Sequence, residues 1–316
     1  MAEAHSWRNK LLLAKLETTY GASSAPSVAT NVILGEEVTI TPIEGTEVQR
    51  VLDHGPASRT LTYLVGKHVT LSIKVGLVGS GTLGVPPHYA PLLRSCQMAE
   101  TIVADESCTY TRIRTGTESC TIKILIDGIT QTVRGCRGTW NIDISVPAVP
   151  TITFSMLGLF EAPTLEAPPG VIPGGLDYPE PETTSATSTD CVLGGAGLQM
   201  TQATISSGSA AQYYETSGRA QVRCLADDTS TITITAEADI STNNWVASAA
   251  TSASTKVPFV MSHGTGPLRF AITSPRARVG KVTWVSLPSD VAGMQIPLIC
   301  ERDATEAALS ITFAAA

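Results

Sequence analysis

Gly79-Ser80-Gly81-Thr82-Leu83-Gly84 is a literal GxGxxG after a strand pattern, with Glu100 near the spacing of a ribose-binding carboxylate. A dinucleotide site needs its helix to begin at the glycines, so that backbone N–H groups meet the pyrophosphate. Pro86 and Pro87 delay any helix and no alternation of parallel strands with helices follows, so the motif reads as a loop. The five histidines (5, 54, 68, 88 and 263) have no HxxxH or HxH spacing, and His68 falls on the polar side of its strand as a surface or interface residue. No GxSxG elbow is present. Glu36-Glu37 and Asp227-Asp228 are carboxylate pairs in turn-like sequence and read as solvated turns. Seven cysteines (96, 108, 120, 136, 191, 224 and 300) include no CxxC pair, which favours reduced, packed thiols made in a cytoplasm over a disulfide framework or zinc site. Cys120 and Cys136 could face each other across strands, which leaves one bridge open. No catalytic residue, cofactor or metal site is expected: the chain reads as part of a larger assembly and not as an enzyme.

At 316 residues there is room for about two domains of common size. Apolar residues are 43%, aromatic 5% and charged only 16%, and Thr, Ser, Val, Ile and Gly are plentiful, so sheet is favoured over helix and much of the surface is expected to be covered. A net charge of -7 opposes an electrostatic grip on nucleic acid. No apolar run approaches the roughly 18–20 residues that span a bilayer, so no membrane insertion is expected, and the Leu11–Leu13 run is too short for a signal-peptide core.

The elements are organised around Val65–Glu100. Val69, Leu71, Ile73 and Val75 alternate with His68, Thr70, Ser72 and Lys74, a strand with one wetted face, and a short amphipathic helix follows through Tyr89, Leu92, Leu93 and Cys96. Residues 31–42 form another strand, and 43–62 read as a long connection of the kind that is usually functional. Further strands are expected at 107–114, 119–126, 129–134, 135–146 and 151–159, with Asp127-Gly128 as a hairpin turn. After Glu161 six of 19 prolines and a Thr/Ser tract mark a linker, stiff and then flexible. The order then repeats: Asn31–Gly35 aligns with Asp190–Gly194, and a long connection (203–229), an alternating strand (230–238), a helix capped at 242–244 and strands to 313 follow. Trp140 and Trp284 fall in corresponding strands and read as core. The expected organisation is an arm (1–30), a β domain (31–162), a linker (163–189) and a second β domain (190–316), read as an internal duplication.

KLETTYGASSAP, VTITPIEG, the 65–101 block and GCRGTWNIDISVPAVPTITFSMLGLFEAP together resemble the major tail tube proteins of long-tailed, non-contractile bacteriophages, over most of residues 10–165. The second half fits more loosely, through LGGAGLQMTQATI and LSITF. The resemblance implies a mainly-β chain of two tandem antiparallel β-sandwich or half-barrel domains, each with one short flanking helix. It implies a late, structural virion protein, made in the bacterial host cytoplasm and resident in the phage tail, whose inner sheets join into stacked rings. The hollow tube so formed is the conduit for genome ejection, and DNA passes through it without specific binding. Three two-domain chains would give a pseudo-hexameric ring; six chains would be needed if only the first half lines the channel. Tail terminator, tape measure and distal tail proteins are the further partners implied. Contacts between rings or subunits are placed on Glu47, Val48, Arg50, Val51, Leu52, His54, Arg59 and Tyr63. The competing reading is a two-domain binding or adhesion module for carbohydrate or a cell surface.

Overall fold

The computed structural model describes residues 5–7, 9–52, 59–166, 178–225, 229–241, 243–251, 256–302 and 307–314. The chain is mainly β, with large antiparallel sheets and two short helices. Its first half contains β1 (Lys10–Leu16), β2 (Val32–Ile33), β3 (Glu37–Leu52), β4 (Arg59–Gly76), helix α1 (Ala90–Ser95), β5 (Met98–Val103), β6 (Ser107–Arg112), β7 (Cys120–Ile126), β8 (Ile129–Ser145), β9 (Thr151–Leu159) and β10 (Thr164–Leu165). The second contains β11 (Thr189–Leu193), β12 (Ala196–Gly197), β13 (Met200–Ser206), β14 (Ala210–Thr216), β15 (Arg219–Leu225), β16 (Ser230–Glu237), α2 (Trp245–Ala250), β17 (Val257–His263), β18 (Phe270–Val279), β19 (Thr283–Ser286), β20 (Ala292–Cys300) and β21 (Ser310–Ala314).

The strand pairings of the first half recur in the second. β1 pairs β2 and β7, as β11 pairs β12 and β17. β3 pairs β4 and β4 pairs β9, as β13 pairs β16 and β16 pairs β20. β8 runs from β7 at its start to β9 at its end, and β18 runs likewise from β17 to β20. β10 lies on the start of β8, as β21 lies on the start of β18. The β5–β6 hairpin has no counterpart among the described residues of the second half.

Two seams join the halves edge to edge. β13 pairs the end of β8 from Gln202↔Ser145 to Ser206↔Asn141, and β21 pairs β6 from Ser310↔Thr111 to Ala314↔Ser107. One sheet therefore runs β3-β4-β9-β8-β13-β16-β20-β19, and another runs β5-β6-β21-β18-β17-β11-β12. A single core fills the space between them, with Trp140, Phe154, Ile205, Ile234, Phe259 and Phe313 all in one buried cluster. Tyr89, fully buried, touches both sheets through Phe154 and Phe313, and its hydroxyl donates to the Val78 carbonyl at 2.8 Å.

The structure corrects several expectations. The described parts of 43–62 are strand, not loop: residues 43–52 and 59–62 carry the far ends of β3 and β4, paired from Thr46↔Val65 to Leu52↔Arg59, so their backbone groups are satisfied within the strand pair itself. The segment 1–30 contains a core strand, β1, whose seven residues pair with β7 and bury Leu12 and Leu13. The described parts of 163–189 are docked on the body: Thr184 is buried, and its Oγ1 donates to the Ser145 carbonyl (2.5 Å) and accepts from the Ala148 N–H (2.9 Å). The expected flexible tract is thus tied down by a residue whose hydroxyl donates and accepts at the same time. Cys120 stands opposite Cys136 in β7 and β8, but all seven thiols are free. Burial pushes the Cys136 and Cys96 thiols well up, as expected for packed, protonated sulfur. Trp140 is core, whereas Trp284 is 60% exposed because β19 is an edge strand.

Glu17 joins β1 to its surroundings. Its carboxylate accepts from Thr121 Oγ1 (2.8 Å), Ser119 Oγ (2.7 Å) and the backbone N–H groups of Gly135 (2.7 Å) and Gly21 (2.8 Å). Glu17→Gln turns one acceptor into a donor facing donors, and we expect a loss of about 2 kcal/mol in chemical denaturation. An unchanged unfolding midpoint would show that the four bonds exchange freely with water.

Candidate assembly surface

The glycines of the GxGxxG segment serve packing. A Cβ on Gly79 would meet the Pro267 carbonyl oxygen at 2.6 Å, and Gly84 (φ +68) would carry one 2.5 Å from the Asp105 nitrogen. Helix α1 begins only at Ala90, so no helix N-terminus faces this loop. His68 stacks on Tyr213 (5.0 Å between centroids, 14° between planes) and lies 3.4 Å from Glu44. Glu36 and Glu37 are exposed, and Asp227-Asp228 lie outside the described residues. Among the described residues no three His, Cys, Asp or Glu side chains gather as metal ligands. No helix among them is long and apolar enough to cross a membrane.

What the chain does present is a broad face and two sheet edges. Along the eight-strand sheet the buried positions alternate with small polar ones, because β strands send successive side chains to opposite faces. One row across the internal seam reads Lys74, Thr153, Asn141, Ser206 and Thr231, each opposite the next. A second reads Thr151, Asp143, Thr204 and Thr233. Charged residues set into this face include Glu37, Lys74, Asp143, Glu237 and Arg137, and the Arg137 guanidinium is taken up by the carbonyls of Glu118, Val222 and Thr117, so the face offers phosphate few cationic anchors. At the ends of the sheet, β3 pairs only β4 and β19 pairs only β20 among the described residues, which leaves a free edge on each.

The β3–β4 hairpin is exposed on both faces beyond Thr41, with Val48 47%, Val51 64% and Tyr63 51% accessible. Of the expected contact residues, Glu47, Arg50 and Val51 are exposed with Val48 and Tyr63, Leu52 is half-buried, and Val48 stands directly opposite Tyr63. Arg59 opens β4 opposite Leu52, and His54 lies outside the described residues. The corresponding hairpin of the second half, β14–β15, is packed down on the first half. Val222, fully buried, donates its N–H to the Tyr20 hydroxyl at 2.5 Å, and its carbonyl accepts from Arg137 Nη1 at 3.1 Å.

Comparison with protein-family models and with curated proteins gives no match to this chain.

At the far end of β20, Glu301 pairs with Lys256 and with Arg278 (2.5 Å). The Lys256 hydrogen bond, reinforced by the Arg278 charge, holds its carboxyl below the usual range. A carboxylate favoured in the fold adds stability at neutral pH and loses it as pH falls through its lowered folded-state pKa. The gap in thermal midpoint between wild type and Glu301→Gln should therefore be full at neutral pH and close in acid. A gap independent of pH would contradict this.

Proposed function

We propose that the chain is a structural subunit that closes into rings and stacks into a hollow tube, as its resemblance to the tail tube proteins of long-tailed phages implies. The observation that carries this reading is the internal seam. Two halves with the same strand pairings already join their sheets side by side, and the joined sheet ends at each side in a strand whose outer edge has no partner among the described residues. Exposed edges of this kind invite further strands, and a head-to-tail contact that closes on itself uses them up with fixed stoichiometry. We read the repeated pairings as an internal duplication, so three chains supply six units to a ring. The small polar, slightly acidic face of the joined sheet suits the wall of a channel through which DNA slides. On this reading the protein is not an enzyme, resides in the virion tail and meets the tail terminator, tape measure and distal tail proteins at the tube ends.

Negative-stain microscopy of the purified protein at rising concentration tests this. Rings or hollow filaments are expected. A strict monomer at all concentrations that binds glycans on an array would overturn the tube in favour of an adhesion module.

A further inference from the structure

The seam inside the chain specifies, residue by residue, a seam between chains. Its register transfers through paired ladders. β4 pairs β9 over nine positions that end at Gly76↔Thr151, and β16 pairs β20 over eight that end at Glu237↔Gly293, so the two ladders are aligned on those ends. On one flank, Glu37↔Lys74 to Thr41↔Thr70 then superposes on Gln202↔Thr235 to Ser206↔Thr231, so Glu37–Thr41 stands where Gln202–Ser206 stands. On the other flank, Asn141↔Thr153 and Ile142↔Ile152 superpose on Thr283↔Gln295 and Trp284↔Met294, so Thr283–Ser286 stands where the seam residues Asn141–Ile144 stand.

We infer that β19 of one copy pairs antiparallel with the proximal end of β3 of the next. The register is Thr283↔Thr41, Trp284↔Ile40, Val285↔Thr39 and Ser286↔Val38. The occupant of each free edge is thus a second copy of this chain. Within the chain the matching pair, Ile142↔Ile205, lies on the core side and is fully buried. Trp284 lies on the same side of its strand, opposite buried Met294, yet is 60% exposed. Its exposure is that of a core residue whose covering strand belongs to the neighbour. Val38 and Ile40, half-buried on the core side of β3, are the surface that would cover it. The two edges do not meet within the chain, since β3 pairs only β4 and β19 only β20 among the described residues. The outer seam, β6 with β21, uses a hairpin present once per chain, so the inner-sheet seam is the one repeated between copies.

This inference rests on the tube reading, and the test separates them. Thr39→Cys combined with Val285→Cys places two thiols directly opposite across the expected seam, where Cβ atoms about 4.5–5.5 Å apart come within disulfide reach. The native cysteines are buried apart from half-buried Cys224, so each single variant serves as the control. Assembled, mildly oxidised double variant should migrate on a denaturing gel as covalent multimers ending at a closed trimer, with no such ladder from either single variant. Tubes that form without cross-linking overturn the seam and leave the tube standing. Failure of wild-type protein to assemble at all overturns both. Trp284→Lys should raise the concentration needed for assembly at least tenfold while leaving the monomer's thermal midpoint unchanged; assembly at the wild-type concentration counts against the seam.

Discussion

Deleting residues 46–60 is expected to leave a folded, soluble protein with an unchanged thermal midpoint and to abolish tube growth. The reason is the exposure of this hairpin. The removed strand residues pair only with the hairpin's own returning strand, and Val48 and Val51 among them face solvent, so the body loses little when they go. Apolar side chains held out on a projecting hairpin are what a partner surface buries. Its second-half counterpart shows how such a hairpin docks, since Tyr213 stacks on His68 and Val222 is sealed against Tyr20 and Arg137 of the adjoining half. By the same relation, the first-half hairpin is expected to lie on the neighbouring molecule. Normal filaments from the deletion variant, scored by microscopy and by sedimentation, would remove the hairpin from the account.

The second large effect is expected at Arg112, whose guanidinium crosses the boundary between the halves. Its Nη1 donates to the Ser207 carbonyl and to Ser230 Oγ (2.8 Å), and its Nη2 donates to Ser209 Oγ (3.0 Å). Arg112 is 8% exposed, Ser207 2% and Ser230 0%, so the acceptors have little access to water once the donor is gone. Arg112→Met keeps much of the packing and removes the charge-assisted bonds, for a loss of roughly 3 kcal/mol. For a chain of this size that is about 4–5 °C in thermal midpoint. Calorimetry should also show the transition broadening or splitting, because this network couples strands of both halves. A single transition at the wild-type temperature would mean that the two sheet seams alone hold the halves together.

Much of the architecture was legible in the sequence because it is locally encoded. The alternation of Val69, Leu71, Ile73 and Val75 identified a strand buried on one face, and the structure buries those four. The cap candidates at 242–244 marked the start of the second helix, and of these it is Asn244 whose Oδ1 accepts from the Ala247 N–H at 3.0 Å. The hairpin at 43–62 was not legible, since Pro42 and the irregularities between Thr41, Glu44 and Thr46 break the period that reveals a strand. Nor was the exposure of Trp284. Alternation tells which side of a strand a residue takes, but whether another strand lies alongside depends on partners distant in sequence. The seams were hidden for the same reason, as Gln202 finds Ser145 and Ser310 finds Thr111 only in the folded chain. Of the expected contact residues, the alternation that makes Val48 and Tyr63 cross-strand neighbours was present, without the periodic context to read it.

The most direct test is electron cryo-microscopy of assembled filaments at a resolution that separates strands. The channel wall should contain eight strands from each of three chains in the order β3-β4-β9-β8-β13-β16-β20-β19, with β19 of one chain beside β3 of the next. A wall built from the first halves of six chains, with the second halves outside it, would contradict the account, as would particles in which both edges remain unpaired.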